Sequence, residues 1–105
     1  MTADTTAQSD GPHRELFSDG RLSGEGELKA GKRHGRWVFY FKSGRIKAVG
    51  SYDDGELDGY WEWWRDNGQP LQAGAFDRGK QHGPWKRWYE NGQLWDEGSY
   101  VSGNK

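Results

Sequence analysis

The chain reads as all-β: an elongated, twisted antiparallel sheet of consecutive β-hairpins, one hairpin per 24-residue repeat. Three observations carry this reading. Sixteen of the seventeen glycines fall into four columns with a spacing of 24: Gly11, Gly35, Gly59, Gly83; Gly20, Gly44, Gly68, Gly92; Gly26, Gly50, Gly74, Gly98; and Gly31, Gly55, Gly79, Gly103. Only Gly24 stands outside. The aromatic residues keep the same period, with Trp37, Trp61 and Trp85 in one column, Tyr40, Trp64 and Trp88 three residues on, and Leu28, Tyr52, Phe76 and Tyr100 in a third. Between short aromatic-rich runs lie Asp19-Gly20, Ser43-Gly44, Asn67-Gly68 and Asn91-Gly92, and such pairs favour tight hairpin turns. A fixed period without insertions marks a repeat array. No segment carries a helical period, so residues 14–103 are expected to form about seven or eight strands and almost no helix.

The elements follow in order. Residues 1–12 are rich in Thr, Ala and Asp and read as a mobile tail; the repeat domain spans 13–105. The first repeat, 11–34, is degenerate, with His13 where Trp belongs and Leu16 where Tyr or Trp belongs, as in a terminal cap. The next repeats are 35–58, 59–82 and 83–105. A two-residue loop at each Asx-Gly or Ser-Gly pair, with positive φ at both residues, sets the register. Trp37 then faces Gly50, Trp61 faces Gly74 and Trp85 faces Gly98, while Tyr40, Trp64 and Trp88 face Lys47, Leu71 and Trp95. A Trp lying across a strand glycine covers bare backbone. The expected core is therefore Trp37, Trp61, Trp85, Tyr52, Phe76 and Tyr100, with Gly50, Gly74 and Gly98 beneath the three tryptophans. Replacing Gly74 should then cost more than replacing Gly24. The second turn of each repeat is expected within the G-x-x-x-G stretch, as in Gly79–Gly83.

Composition bounds the function. The 105 residues make one domain. Leu, Ile, Val and Phe number only 14, a level that leads to disorder when net charge is also high. Here 15 Lys+Arg nearly balance 16 Asp+Glu, and 16 aromatic residues supply the core. A net charge of -1 leaves no basic footprint for nucleic acid. No apolar run approaches the ~20 residues of a membrane span, and the polar N-terminus has no signal-peptide pattern. The absence of cysteine excludes disulfides and thiolate chemistry. A cytoplasmic location is the default expectation for an untargeted chain.

The unit W-x-x-Y-x-x-N-G-x5-G-x-Y-x-x-G-K-x-x-G, seen best in Trp61–Gly83 and Trp85–Gly103, resembles the MORN-repeat variant that makes up bacterial YwqK-type antitoxins of toxin–antitoxin systems. The resemblance covers about residues 11–105. It implies an elongated hairpin sheet and a non-catalytic interaction scaffold, whose partner would be a toxin or effector protein. Two departures stand out: the first copy lacks its Trp, and the chain is short for the family.

No catalytic set is legible. His34 and His82 share one repeat position, with Asp58 between them, but one ligand per turn every 24 residues is not a tetrahedral metal set. The carboxylates, among them Asp53, Asp54, Glu56, Asp58, Asp96 and Glu97, interleave with Lys and Arg as on a solvated face. Gly20–Gly26 lacks the Lys-Ser/Thr of a phosphate loop. No enzyme activity, metal or cofactor is expected. Tyr40, Trp64 and Trp88, at an odd offset from the first tryptophan column, fall on the opposite sheet face. With Leu71 and Trp95 beside them they are the candidate protein-binding surface; packing within the sheet is the alternative. Carbohydrate or choline binding by aromatic cages and peripheral membrane binding are the competing functions. The lack of a Lys/Arg cluster argues against anionic lipid. The oligomeric state is left open.

Overall fold

The computed structural model of the chain describes residues 10–101 and 103. Eight strands run in sequence: β1 (Gly11–Leu16), β2 (Leu22–Lys29), β3 (Lys32–Tyr40), β4 (Ile46–Asp53), β5 (Glu56–Trp64), β6 (Pro70–Asp77), β7 (Lys80–Trp88) and β8 (Leu94–Tyr100). They form one antiparallel sheet in the order β1 to β8, each strand bonded to its chain neighbours. The described residues contain no helix. The molecule measures 54 × 33 × 16 Å. Stacked sheets lie about 10 Å apart, so the short dimension fits a single layer with side chains on both faces. Gly11 and Pro12, assigned to the tail from sequence, open β1; residues 1–9 lie outside the described residues.

The two kinds of turn are interchanged relative to the sequence reading. The two-residue loops with positive φ at both positions are Ala30-Gly31, Asp54-Gly55 and Arg78-Gly79, closing Lys29↔Lys32, Asp53↔Glu56 and Asp77↔Lys80. The Asx-Gly and Ser-Gly pairs instead belong to three-residue loops. Gly68 N–H donates to Arg65 O at 2.8 Å, and Arg65 N–H to Gln69 O at 2.8 Å. Only Gly68 of the pair has positive φ, at 90°, as in a type I turn followed by a glycine bulge. Asn67 is there for its side chain: Oδ1 accepts from Gln69 N–H at 2.9 Å. Asp19 and Asn91 do the same for Arg21 and Gln93, and Ser43 does so at 3.3 Å for Arg45.

The extra loop residue shifts the register by one, and a bulge then restores it. Near the loops Tyr40 pairs with Ile46, Trp64 with Pro70 and Trp88 with Leu94. Lys47, Leu71 and Trp95 are skipped, which corrects the three expected pairs. Beyond the bulge the expected register returns: Trp37↔Gly50, Trp61↔Gly74 and Trp85↔Gly98.

A second bulge joins each hairpin to the next. Gly74 pairs with Trp85 but Ala75 with His82, so β7 carries two extra residues, Gly83 and Pro84. Gly83 meets this bend with φ of 76°, a region other residues rarely enter. β3 and β5 bulge at the same repeat position. Each bulge is accompanied by a bond from the following indole: Trp37 Nε1 donates to Glu27 O, Trp61 Nε1 to Ser51 O and Trp85 Nε1 to Ala75 O, at 2.9–3.0 Å.

The glycine beneath each indole also differs from expectation. A Cβ added at Gly26 would meet the Trp37 ring, at Gly50 the Trp61 ring, and at Gly74 the Trp85 ring. Each Trp thus faces one glycine within its own hairpin but lies on the glycine of the preceding one. The inter-hairpin bulge turns the ring back across the boundary. The indole therefore staples neighbouring repeats together.

Candidate functional site

The tryptophan face is a ladder of rings. Trp61 stacks with Phe39 and Trp63, and Trp63 with Trp85, at centroid separations of 5.6–6.3 Å. Tyr52 and Phe76 meet Trp61 and Trp85 edge-on, both at 5.2 Å. Trp37, Trp61 and Trp85 are 0%, 2% and 5% exposed, so a single-layer sheet buries its core within one layer of side chains. Tyr52, Phe76 and Tyr100 are half-buried around them. At the N-terminal end Arg33 lies 5.0–5.5 Å over Trp37, Phe39 and Tyr52 and donates to both oxygens of Glu15 at 2.7–2.8 Å. Burial alone would lower the Arg33 pKa, but Glu15 and Tyr52 together outweigh it and the net direction is up. Burial raises the Tyr52 phenol, against the pull of Arg33. A 320 Å³ cleft on this face is lined by Phe39, Lys47, Tyr52, Leu57, Trp61 and Trp63.

The opposite face carries the second aromatic column. Phe39 and Trp63 belong to the ladder, so the next residues, Tyr40 and Trp64, point away from it. Trp88 holds the same place in its repeat. Directly paired residues share a sheet face, so Ile46, Pro70 and Leu94 flank these rings, and the pair Leu16↔Leu22 continues the row into the first hairpin. The result is an apolar stripe crossing all four hairpins near their three-residue loops. Tyr40, Trp64 and Trp88 are half-buried, while Leu16, Ile46 and Leu94 are 60%, 44% and 46% exposed. Tyr40 donates its hydroxyl to Glu25 at 2.6 Å. That bond, with burial second, raises its phenol pKa.

Leu71 and Trp95 stand in a different place from the one expected. Both are bulge residues skipped by the pairing. Leu71 is half-buried. Trp95, 53% exposed, lies against Arg87 at 4.4 Å and against Tyr89 at 5.7 Å. The residues missed from sequence are Leu22, Ile46, Pro70 and Leu94. Their signal was present as an apolar column of period 24, hidden by the one-residue register error.

His34 Nδ1, in β3, lies 4.0 Å from Asp53 Oδ1 at the end of β4, both side chains well exposed. Among the described residues no group of three or more His, Cys, Asp or Glu side chains converges on a metal-sized site. No helix of the described residues is long and apolar enough to cross a membrane.

The family model of the MORN repeat variant matches residues 33–54 and 81–102. The two stretches start 48 residues apart, two full periods, and each begins near the start of the strand that carries a stapling Trp, β3 for Trp37 and β7 for Trp85. The two matched stretches are thus similar to the MORN repeat variant, which supports the repeat part of the resemblance seen in the sequence. No curated protein matches the chain.

Proposed function

We propose that the chain is a non-catalytic protein-binding scaffold whose partner lies along the apolar stripe formed by Tyr40, Trp64 and Trp88 with Ile46, Pro70 and Leu94. MORN repeats are commonly interaction modules. The observation that carries the reading is the division of labour between faces. The ladder tryptophans are consumed by the fold, whereas the second column leaves apolar area in solvent at every repeat. Large exposed apolar patches mark interaction sites, and Trp and Tyr dominate their binding energy. The finer reading, an antitoxin whose partner is a toxin or effector, is supported by the resemblance of the repeat unit alone. A cytoplasmic setting goes with that reading.

The test is affinity capture from the native host with the wild-type chain and the Trp64→Ala, Trp88→Ala double variant. A hot-spot Trp contributes at least ~2 kcal/mol, roughly thirtyfold in affinity. A specific protein held by the wild type and lost by the folded double variant supports the reading. Equal capture by both chains removes the stripe from it. Retention on a choline or glycan matrix, or flotation with liposomes, would favour the small-ligand or membrane alternatives instead.

A further inference from the structure

The ladder face opens between β3 and β5. Phe39 and Trp63 hold the same position in successive repeats, and Ala48 on β4 pairs with both. Directly paired residues share a sheet face, so two half-buried rings stand on either side of a single methyl group. Neighbouring strands lie about 4.8 Å apart, which sets the two wall residues about 9.5 Å apart. A flat guest in contact with a ring on each side needs about 7–8 Å. Trp61 stacks on both walls, at 6.3 and 5.6 Å, and closes one end. What is left is the 320 Å³ cleft, within the ~300–1,000 Å³ of small-molecule sites. The next repeat is closed at the same place. There Gln72 replaces Ala48, Arg87 replaces Trp63 and Leu71 replaces Lys47, and a cavity of only 50 Å³ touches Gln72, Trp85 and Arg87.

We propose that this cleft is a binding site for a small, flat aromatic carboxylate. The ring slides between Phe39 and Trp63 with its edge on Trp61, and the carboxylate meets Lys47. Charge selects the anion. Lys47 lines the cleft, and none of the described residues lining it is acidic. The Lys47 side chain is exposed, and its Nζ lies 5.8 Å over the Phe41 ring, with no carboxylate paired to it among the described residues. The hairpin bulge puts it there. Lys47 is skipped by the pairing, between Tyr40↔Ile46 and Phe39↔Ala48, so it leaves the regular alternation of the strand. A choline-like cation would face that ammonium, and a neutral sugar would leave it unpaired. Aromatic walls supply stacking, and one well-placed charged group fixes the orientation of the guest. The site does not rest on protein binding at the stripe, whose rings point to the opposite face.

The probe is 2-naphthoate, titrated into the full chain by calorimetry beside the neutral 2-naphthamide and the cationic 2-naphthylmethylammonium. The two variants, Lys47→Leu and Ala48→Gln, each copy the residue of the next repeat. The expected result is saturable binding of naphthoate at a single site, tighter than the amide, with the ammonium weakest. Lys47→Leu, at an exposed position, should melt close to wild type, weaken naphthoate about fivefold and leave the amide unchanged. Ala48→Gln fills the gap and should weaken acid and amide alike, about tenfold or more. The Trp64→Ala, Trp88→Ala chain should bind naphthoate as wild type does, which separates the cleft from the stripe. No saturable binding, equal affinity for the three probes, or naphthoate binding indifferent to Lys47→Leu overturns the proposal. Tighter binding of the ammonium probe equally overturns it and makes the cleft a cation cage. Should Ala48→Gln not fold, the response of acid against amide to Lys47→Leu decides by itself.

Discussion

At the scale of single residues, the glycines under the tryptophans are there for space rather than for backbone freedom. Gly50 has no positive φ, yet a Cβ on it would fall within the Trp61 indole. Trp61 is 2% exposed and bonded through Nε1 to Ser51 O, so it cannot move aside without losing both burial and a hydrogen bond. Overpacking of this kind costs about 1–3 kcal/mol. Gly24 is also not the neutral position that its place outside the period suggests. A Cβ there would meet Phe39 Cδ1 at 2.8 Å. Phe39 is only half-buried and its ring has no polar anchor, so it can yield. Gly50→Ala should therefore destabilise more than Gly24→Ala, and both should be less stable than wild type in urea melts. A larger loss at Gly24 would mean that Phe39, not the indole, is the rigid member of the ladder.

At the scale of the hairpin, the two turns divide the left-handed residues between them in a way the sequence obscures. Asn-Gly is the strongest signal for a two-residue loop with positive φ at both positions, and it stands at 67-68 and 91-92. Those sites nevertheless fold as three-residue loops, because Asn67 and Asn91 each bind the N–H two residues on. The left-handed non-glycine positions fall on Ala30, Asp54 and Arg78, at φ of 49–53°. A left-handed conformation costs an ordinary residue roughly 1–2 kcal/mol, and Asn bears it more easily. Arg78→Asn should thus stabilise by up to about 1 kcal/mol, while Asn67→Gly should lose its side-chain bond and destabilise by about 0.5–1.5 kcal/mol. Thermal melts of the two variants check this, and the reverse order would restore the two-residue loop at Asn67-Gly68. The same feature explains what was legible. Hairpin number, strand order and the Trp–glycine pairs followed from a period of 24, because the bulge at Lys47, Leu71 and Trp95 cancels the extra loop residue before the tryptophans are reached. Between loop and bulge nothing cancels it. The partners of Tyr40, Trp64 and Trp88 were therefore displaced by one, and Leu71 and Trp95 stood in for Pro70 and Leu94. The stapling across hairpins was not legible, since it depends on a bulge between strands whose pairing the motif does not encode.

At the scale of the molecule, a 54 Å sheet in which each strand pairs only with its chain neighbours behaves as a one-dimensional array. Its stability is a sum of hairpins and the interfaces between them. The stapling indoles are the largest side chains at those interfaces: Trp37 ties β3 to β2, Trp61 ties β5 to β4, and Trp85 ties β7 to β6. Trp61 also stacks on Phe39 from one repeat and Trp63 from its own, so it joins the two halves of the ladder. Trp61→Ala should cost about 3–5 kcal/mol, as for other buried Trp truncations, and the loss should fall on the junction rather than evenly. Four strands remain on each side; the ladder contacts within β1–β4 are untouched, and β5–β8 lose the Trp61–Trp63 stack but keep those among Trp63, Phe76, Trp85 and Tyr100. The expected result is a broadened urea transition with a lower apparent m-value, since each half then unfolds with less surface exposed per step. Amide exchange should be fastest along the β4–β5 seam. Trp64→Ala, which removes a half-buried ring from the other face, should leave the m-value unchanged. A sharp single transition for Trp61→Ala with uniform loss of protection would instead show that backbone pairing alone couples the repeats, and the indoles would then add stability without setting cooperativity.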